Sequence, residues 1–400
     1  MNVAVVSLTP IGRQGGCQRF TLDAIQSIRA RGDRCEAFAV RESDPAGESA
    51  PDRPAPDRAF VHTFDAHGER ELAFREVLGL LSGFDAVWVH QYLASELVFD
   101  ILGAVPESLS LLLTNLGDER VLPQFEERYR PSRNHRFVDA AEFLSVSGHT
   151  VKANSIVIRA GIWSDFMGST NPVEREPGQI CTLDGVSANA GLETAILGLP
   201  AGCSLVVVGA PQRDAAFLRV VGAAVAGRRV CFTGNVPETR RRSVLAASEI
   251  LVAAHFPVQA EGGADCADPF ASLVLLEALG SDTLPVASDF VPHLELMNSL
   301  GLSDFVFPAG RHDLLRNMID RILAMPVEEV SMRKGKARAR IRQSWLWDDY
   351  WFRVRQALRL DNMEPEKSDF ELRSSVRGVR SAAAGYSVGG HTLNWKAFQF

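Results

Sequence analysis

The chain has 400 residues, of which 46% are hydrophobic and 23% charged, and it carries a formal net charge of −7. That is ordinary globular composition and enough chain for two cored domains. The acidic balance argues against a dedicated nucleic-acid binder, and no apolar run is long enough to span a bilayer.

The first segment, Met1-Asn-Val-Ala-Val-Val-Ser-Leu8, has no basic leader or cleavage site and reads as a buried strand. Gly12-Arg-Gln-Gly15-Gly16 follows and opens a helix through about Arg31, giving the first half of a βαβ unit. It lacks the third glycine of a dinucleotide fingerprint. Residues 41–58, rich in Pro, Asp and Glu, read as a solvated loop. Phe84–His90 and Leu111–Thr114 are the next strands. From Arg120 to Arg136, five arginines (Arg120, Arg128, Arg130, Arg133, Arg136) mix with Phe125, Tyr129, Glu126 and Glu127. This reads as a solvated face; the competing reading is contact with an anionic acceptor or a membrane surface, at most peripheral. Ala140–Ser147 is read as a strand, and Ile156 to Phe166 closes the first half.

Asn171 to Gly178, with two prolines, reads as a linker. Strand-then-helix alternation restarts after it. Strands are expected at Ile180–Leu183, Ser204–Gly209, Arg229–Gly234 and from Ile250, and helices at 191–198, 214–226 and 236–247. Repetition of this kind implies a parallel sheet covered on both faces. Six cysteines (Cys17, Cys35, Cys181, Cys203, Cys231, Cys266) are scattered without a Cys-x-x-Cys pair. They are expected as buried thiols in a reducing cytoplasm, neither a metal site nor a disulfide frame.

The most informative stretch is Asp268-Pro-Phe-Ala-Ser-Leu-Val-Leu-Leu-Glu277-Ala-Leu. Asp268 is a good N-cap, Pro269 suits the first helical position, and Val274, Leu275 and Ala278 recur at helical spacing. A helix N-terminus with unpaired N–H groups suits a phosphate, and Glu277 is an acceptor-only group suited to hydroxyls. The competing reading is a capped helix with a solvated Glu277. Leu284-Pro-Val-Ala-Ser288 is a strand, followed by Asp289-Phe-Val-Pro-His-Leu-Glu295. Helices are expected over His312–Ala324 and Val327–Ser344. The aromatic run Ser344-Trp345-Leu-Trp347-Asp-Asp-Tyr350-Trp351 then begins an amphipathic helix, and residues beyond 360 read as an irregular tail.

Taken in order, these segments resemble the retaining GT-B glycosyltransferases of the large GT4 type. The matching segments are the Gly15-Gly16 opening, the Phe84–His90 strand, Ala140–Ser147, Ile156–Phe166, Asp268 to Glu277 with the strand after it, and the Trp345 closing helix. The resemblance implies an α/β fold with two Rossmann-like domains facing a cleft and a C-terminal helix crossing back to the first. The acceptor domain would span 1–170, the linker 171–178, the nucleotide-sugar domain 179–343, the crossover helix 344–360 and the tail 361–400. It implies transfer of a sugar from a nucleotide-sugar donor to an acceptor with retained configuration, without a metal or other cofactor and without nucleic acid as partner. The acceptor (a glycan, a lipid-linked or a small molecule) is left open. Gly15 and Gly16 would approach the donor phosphate, and Phe270, Ala271 and Ser272 would face the diphosphate. Glu277 would take ribose hydroxyls and Asp268 the sugar hydroxyls, these two being the catalytic pair. The chain departs from the family at several places. Thr182 and Asn189 or Ala190 stand where an Arg and a Lys neutralise the diphosphate, and Arg13, Arg19 or Arg213 are the candidates to substitute from elsewhere. Asn115 or Leu116 replaces a histidine, Ala271 replaces a glycine, and the Asp268–Glu277 spacing is one residue longer. His90 and His149 are the remaining histidine candidates, and Glu261 and Asp265 lie in an inserted loop. A catalytically weak or inactive GT-B homologue, serving as a binding or regulatory subunit, is the alternative.

Overall fold

The structure, a computed structural model, describes residues 1–7, 16–40, 61–64, 77, 79–90, 96–114, 135–139, 155–168, 174–183, 190–209, 215–256, 258–259, 265–266 and 272–359. The first half contains β1 (Asn2–Ser7), α1 (Gly16–Ala30), β2 (Arg34–Val40), β3 (Val61–Phe64), β4 (Ala86–His90), α2 (Glu96–Ala104), β5 (Ser110–Thr114), β6 (His135–Asp139), β7 (Ser155–Val157) and α3 (Ser164–Gly168). Its seven strands pair in parallel in the order β3-β2-β1-β4-β5-β6-β7. Because side chains alternate along a strand, one sheet supplies two cores. Val3, Val5, Trp88 and Leu112 face α1, while Ala4, Val6, Val87, Val89, Leu111 and Leu113 face α2.

The second half contains β8 (Gln179–Thr182), α4 (Leu192–Leu197), β9 (Ser204–Val208), α5 (Ala215–Val225), β10 (Arg229–Gly234), α6 (Glu238–Ala247), β11 (Ile250–Ala253), β12 (Val258–Gln259), β13 (Asp265–Cys266), α7 (Leu273–Gly280), β14 (Leu284–Ser288), α8 (Val291–Leu300), β15 (Val306–Phe307), α9 (His312–Leu323), α10 (Val327–Ser344) and α11 (Trp347–Arg359). Here six parallel strands run β10-β9-β8-β11-β14-β15. In both sheets the order reverses beside the first strand, the arrangement that opens a crevice at the carboxyl ends.

α11 belongs to the second half in sequence and to the first in space. Trp347, Tyr350, Trp351 and Val354 recur at helical spacing and are all buried. Ser27 Oγ donates to the Trp347 carbonyl at 2.8 Å and accepts from the Trp351 N–H at 3.1 Å. Asp33 accepts from Trp351 Nε1 at 2.6 Å and from Arg355 at 3.1 Å. Upstream of α11, Ile162 and Leu346 form an isolated parallel bridge, with Ile162 N–H to the Trp345 carbonyl and Trp347 N–H to the Ile162 carbonyl, both at 3.0 Å. Gly161 makes this approach possible: a Cβ there would stand 2.1 Å from the Trp345 carbonyl oxygen.

A second tie lies beside the linker. Asp282, in the left-handed region at φ 63°, pairs with Arg175 (2.6 Å), Lys334 (2.9 Å) and Arg338 (3.2 Å). Arg338 also donates to the Met167 carbonyl at the end of α3.

Several expectations are corrected. The strand read at 140–147 lies outside the described residues; His135–Asp139 forms β6, with Arg136 in a strand rather than in a solvated loop. Within the Asp289–Glu295 segment a helix not expected from the sequence, α8, begins at Val291 with Pro292 in its first turn. α7 was read as amphipathic, yet every residue from Leu273 to Gly280 is buried, because the helix is covered on all sides. Cys35, Cys181 and Cys203 are buried thiols, but Cys231 is exposed on the edge strand β10.

Candidate active site

Three helices that follow carboxyl ends of strands converge on one carboxylate. α1 follows β1 and carries Arg19 in its first turn; α6 follows β10 and carries Arg241 in its first turn; α7 carries Glu277. Arg19 Nη1 pairs with Glu277 Oε1, and Arg241 Nη2 with Glu277 Oε2. The first of these pairs joins the two halves, tying the helix that follows β1 to α7.

Exposure orders the cluster. Glu277 is 1% exposed, whereas Arg19 retains 24% and Arg241 16%. A buried carboxylate is tolerated only when its charge is compensated, and one guanidinium on each oxygen does this. Around them, Asp23 accepts from Trp163 Nε1 at 2.9 Å and lies 3.8 Å from Arg19. Glu238 is shared between Arg241 (3.6 Å) and Arg242 (3.2 Å). Arg242 lies over the Phe166 ring at 3.9 Å from its centroid. Burial works against the Arg19 charge, but Glu277, Asp23 and Glu238 outweigh it and hold the guanidinium above its ordinary pKa. A second pair crosses between the sheets: Arg159, beyond β7, donates to Glu295 of α8 through Nε (3.0 Å) and Nη2 (2.9 Å).

The reversal point of the second sheet lies between β8 and β11. There Gly191, at φ 64°, packs so closely on the end of β11 that a Cβ would meet the Ala254 carbonyl oxygen at 1.9 Å. Next to it His255, Phe290 and His293 form a ring cluster with centroids 5.0 to 5.9 Å apart. Ser288 Oγ donates to the His255 carbonyl at 2.5 Å.

The expected site residues fall into three groups. Glu277 is at the centre, buried and ion-paired with two arginines, so it is not a solvated acid. Gly16 is the first residue of α1, and Ser272 precedes α7 in helical conformation without a side-chain cap. Asp268, Phe270, Ala271 and Gly15 lie outside the described residues, as do His149, Glu261 and Asn189. The described part of α7 starts at Leu273, later than the helix start read at Asp268. Thr182 is buried at the end of β8, Ala190 is buried, and Asp265 lies in the short antiparallel β12–β13 pair. His90 is structural. It is fully buried between Phe20 and Trp88, its Nδ1 lies 2.8 Å from Thr21 Oγ1, and burial pushes its pKa down to about 3. Sequence reading missed Arg241; its only signal was the Arg240-Arg241-Arg242 run behind Glu238. Among the described residues, no group of three His, Cys, Asp or Glu is placed to hold a metal ion, and no helix is long and apolar enough to cross a membrane.

No protein-family model matches the sequence, and no curated protein matches it either. Solved structures do match. A glycosyltransferase from Rickettsia africae superposes with a TM-score of 0.71 over 91% of this chain and 100% of its own, at 13% identity. Sucrose-phosphate synthase from Thermosynechococcus elongatus gives 0.66 over 90% and 99%, at 18% identity. An alpha-glucosyltransferase in complex with UDP-glucose and DNA gives 0.60 over 90% and 99%, at 11% identity. This likeness establishes the fold: two parallel-sheet α/β domains in the GT-B arrangement.

Proposed function

We propose that this GT-B protein is a glycosyltransferase that moves a sugar from a nucleotide-sugar donor to an acceptor hydroxyl with retained configuration. The observation that carries the reading is the charge cluster on Glu277, set where the carboxyl edges of two Rossmann-like sheets meet. Open α/β sheets bind ligands at that edge. The glycosyltransferase structures that share the fold support it, one of them holding UDP-glucose. In this reading residues 1–170 bind the acceptor, 171–178 are the linker, 179–343 seat the nucleotide, and 344–360 return to the first domain.

In the reaction the bond from the anomeric carbon to the diphosphate oxygen breaks and a bond to the acceptor oxygen forms. The acceptor proton passes to the departing nucleoside diphosphate. Stabilising that leaving group is an electrostatic task for fixed cations and helix N-termini. Asp268 holds the sugar hydroxyls, and the segment from Phe270 to Ser272 with Gly15 and Gly16 approaches the diphosphate. Glu277 organises the donor side.

Calorimetric titration with a panel of nucleotide sugars, repeated with Glu277→Ala, tests the reading. The expected result is binding of one donor by the native chain and loss of at least tenfold in affinity in the variant. Absence of binding to every donor, or indifference to the substitution, would sink it. Donor binding without transfer or donor hydrolysis would leave the inactive binding subunit as the better description.

A further inference from the structure

The geometry around Glu277 points to a division of labour that the resemblance does not imply. We infer that Arg19 and Arg241 are the donor's diphosphate ligands, and that Glu277 serves to position them instead of binding the ribose. This rests on the nucleotide-sugar reading above and specifies its donor subsite.

Three observations carry it. First, Glu277 is buried: with 1% exposure and a guanidinium paired to each oxygen, its carboxylate is covered by the two arginines. Exchanging a charge-assisted pair for a neutral hydroxyl in a buried place is unfavourable. Second, the arginines are the part of the cluster that a ligand meets. Each retains solvent exposure while the acids behind them, Glu277 and Asp23, are almost wholly covered. A guanidinium has five N–H donors in a rigid fork, so one edge can remain on Glu277 while the rest takes a phosphate oxygen. Third, the described end of β8 offers no cation: Thr182 stands there, buried. A diphosphate in a cleft needs compensating charge, and Arg19 and Arg241 supply it from opposite domains. Arg19 then also ties the donor to the first half, because α1 packs on the first sheet.

The two roles of Glu277 separate cleanly when ribose and phosphate are tested apart. Uridine, guanosine and adenosine are compared with their 5′-diphosphates by calorimetry and ligand-observed NMR, on the full chain and on Arg19→Gln, Arg241→Gln and Glu277→Gln. The native chain is expected to bind one diphosphate well above its nucleoside. Each of the three variants is expected to lose about ten- to a hundred-fold of that diphosphate gain, the size of one charge-assisted contact. Nucleoside affinity should hold within about twofold. The gain should also fall with added salt in the native chain and less in the arginine variants. Arg19→Lys should restore part of it, which separates a charge role from a folding defect.

Two results would overturn the inference while leaving the nucleotide-sugar reading intact. One is a full diphosphate gain in both arginine variants. The other is Glu277→Gln weakening the nucleoside as much as its diphosphate, the mark of a ribose ligand. A native chain that binds no nucleotide would overturn the broader reading, and this inference with it.

Discussion

Gly161→Ala is a severe test of how the start of α11 is joined to the first half. The added Cβ would lie 2.1 Å from the Trp345 carbonyl oxygen and 2.6 Å from its carbon, both backbone atoms with no rotamer to yield. Relief requires the two segments to part by roughly 1 Å, which carries a hydrogen bond at 3.0 Å beyond useful range. The bonds between Ile162 and both Trp345 and Trp347 are of that length, and they sit in a joint where Ile162 is 3% and Trp347 1% exposed. Leaving one or two buried backbone groups unpaired costs about 1–3 kcal/mol each. The expected destabilisation is therefore about 1–6 kcal/mol. Urea unfolding followed by tryptophan fluorescence measures it, since Trp345, Trp347 and Trp351 flank the joint. The control is Gly103→Ala in α2, where a Cβ meets nothing within 4 Å and helix propensity favours alanine by about 1 kcal/mol. If Gly161→Ala unfolds within about 0.5 kcal/mol of the native chain, a small difference for a substitution of this kind, the joint is not the tight contact described.

Two further outcomes are expected. His90 is held near 3 in the fold against an ordinary 6.5, so between those values the unfolded chain binds the extra proton and stability falls as pH falls. The loss should be about 1.4 kcal/mol per pH unit below 6.5; burial holds His135 down and adds in the same direction. Urea midpoints at pH 7.5 and 5.5 should show it, and an undiminished slope in His90→Gln would refute the assignment. For Asp282, replacement by Asn keeps a side chain that tolerates φ 63° but withdraws the charge from Lys334, whose side chain is 4% exposed. A cost of about 1–3 kcal/mol is expected, reduced by the partial exposure of Asp282 itself, with Asp282→Ala costing more through backbone strain. Equal stability of all three chains would show the tie to be idle.

The two sheets were legible because their strands are short apolar runs separated by glycines and helical patterns. β8, β9, β10 and β11 lie within a residue or so of where the alternation put them. β6 was not legible: His135-Arg-Phe-Val-Asp139 has only two apolar residues, and its arginine reads as a continuation of the charged stretch before it. The same limit applies to the site. Glu277 stood out because its neighbours in sequence form a recognisable string. Arg19 lies 258 residues away, and nothing local says that its helix faces α7. Arg241 sits in a run of three arginines, and only the packing of α6 decides which of them turns inward.

The return of α11 bears on how this protein is made. Trp88 of β4 is stacked on Tyr350 and Trp351, and Phe20 of α1 meets Trp347 and Tyr350 edge-on. More than 250 residues separate these partners along the chain. The first domain therefore leaves the ribosome with the α1 side of its sheet only partly covered and waits for the second domain to be synthesised before α11 completes it. At elongation rates of about 5–20 residues per second, the wait is on the order of ten seconds to a minute. Throughout it, Trp88 and Phe20 lack the aromatic partners that α11 later supplies.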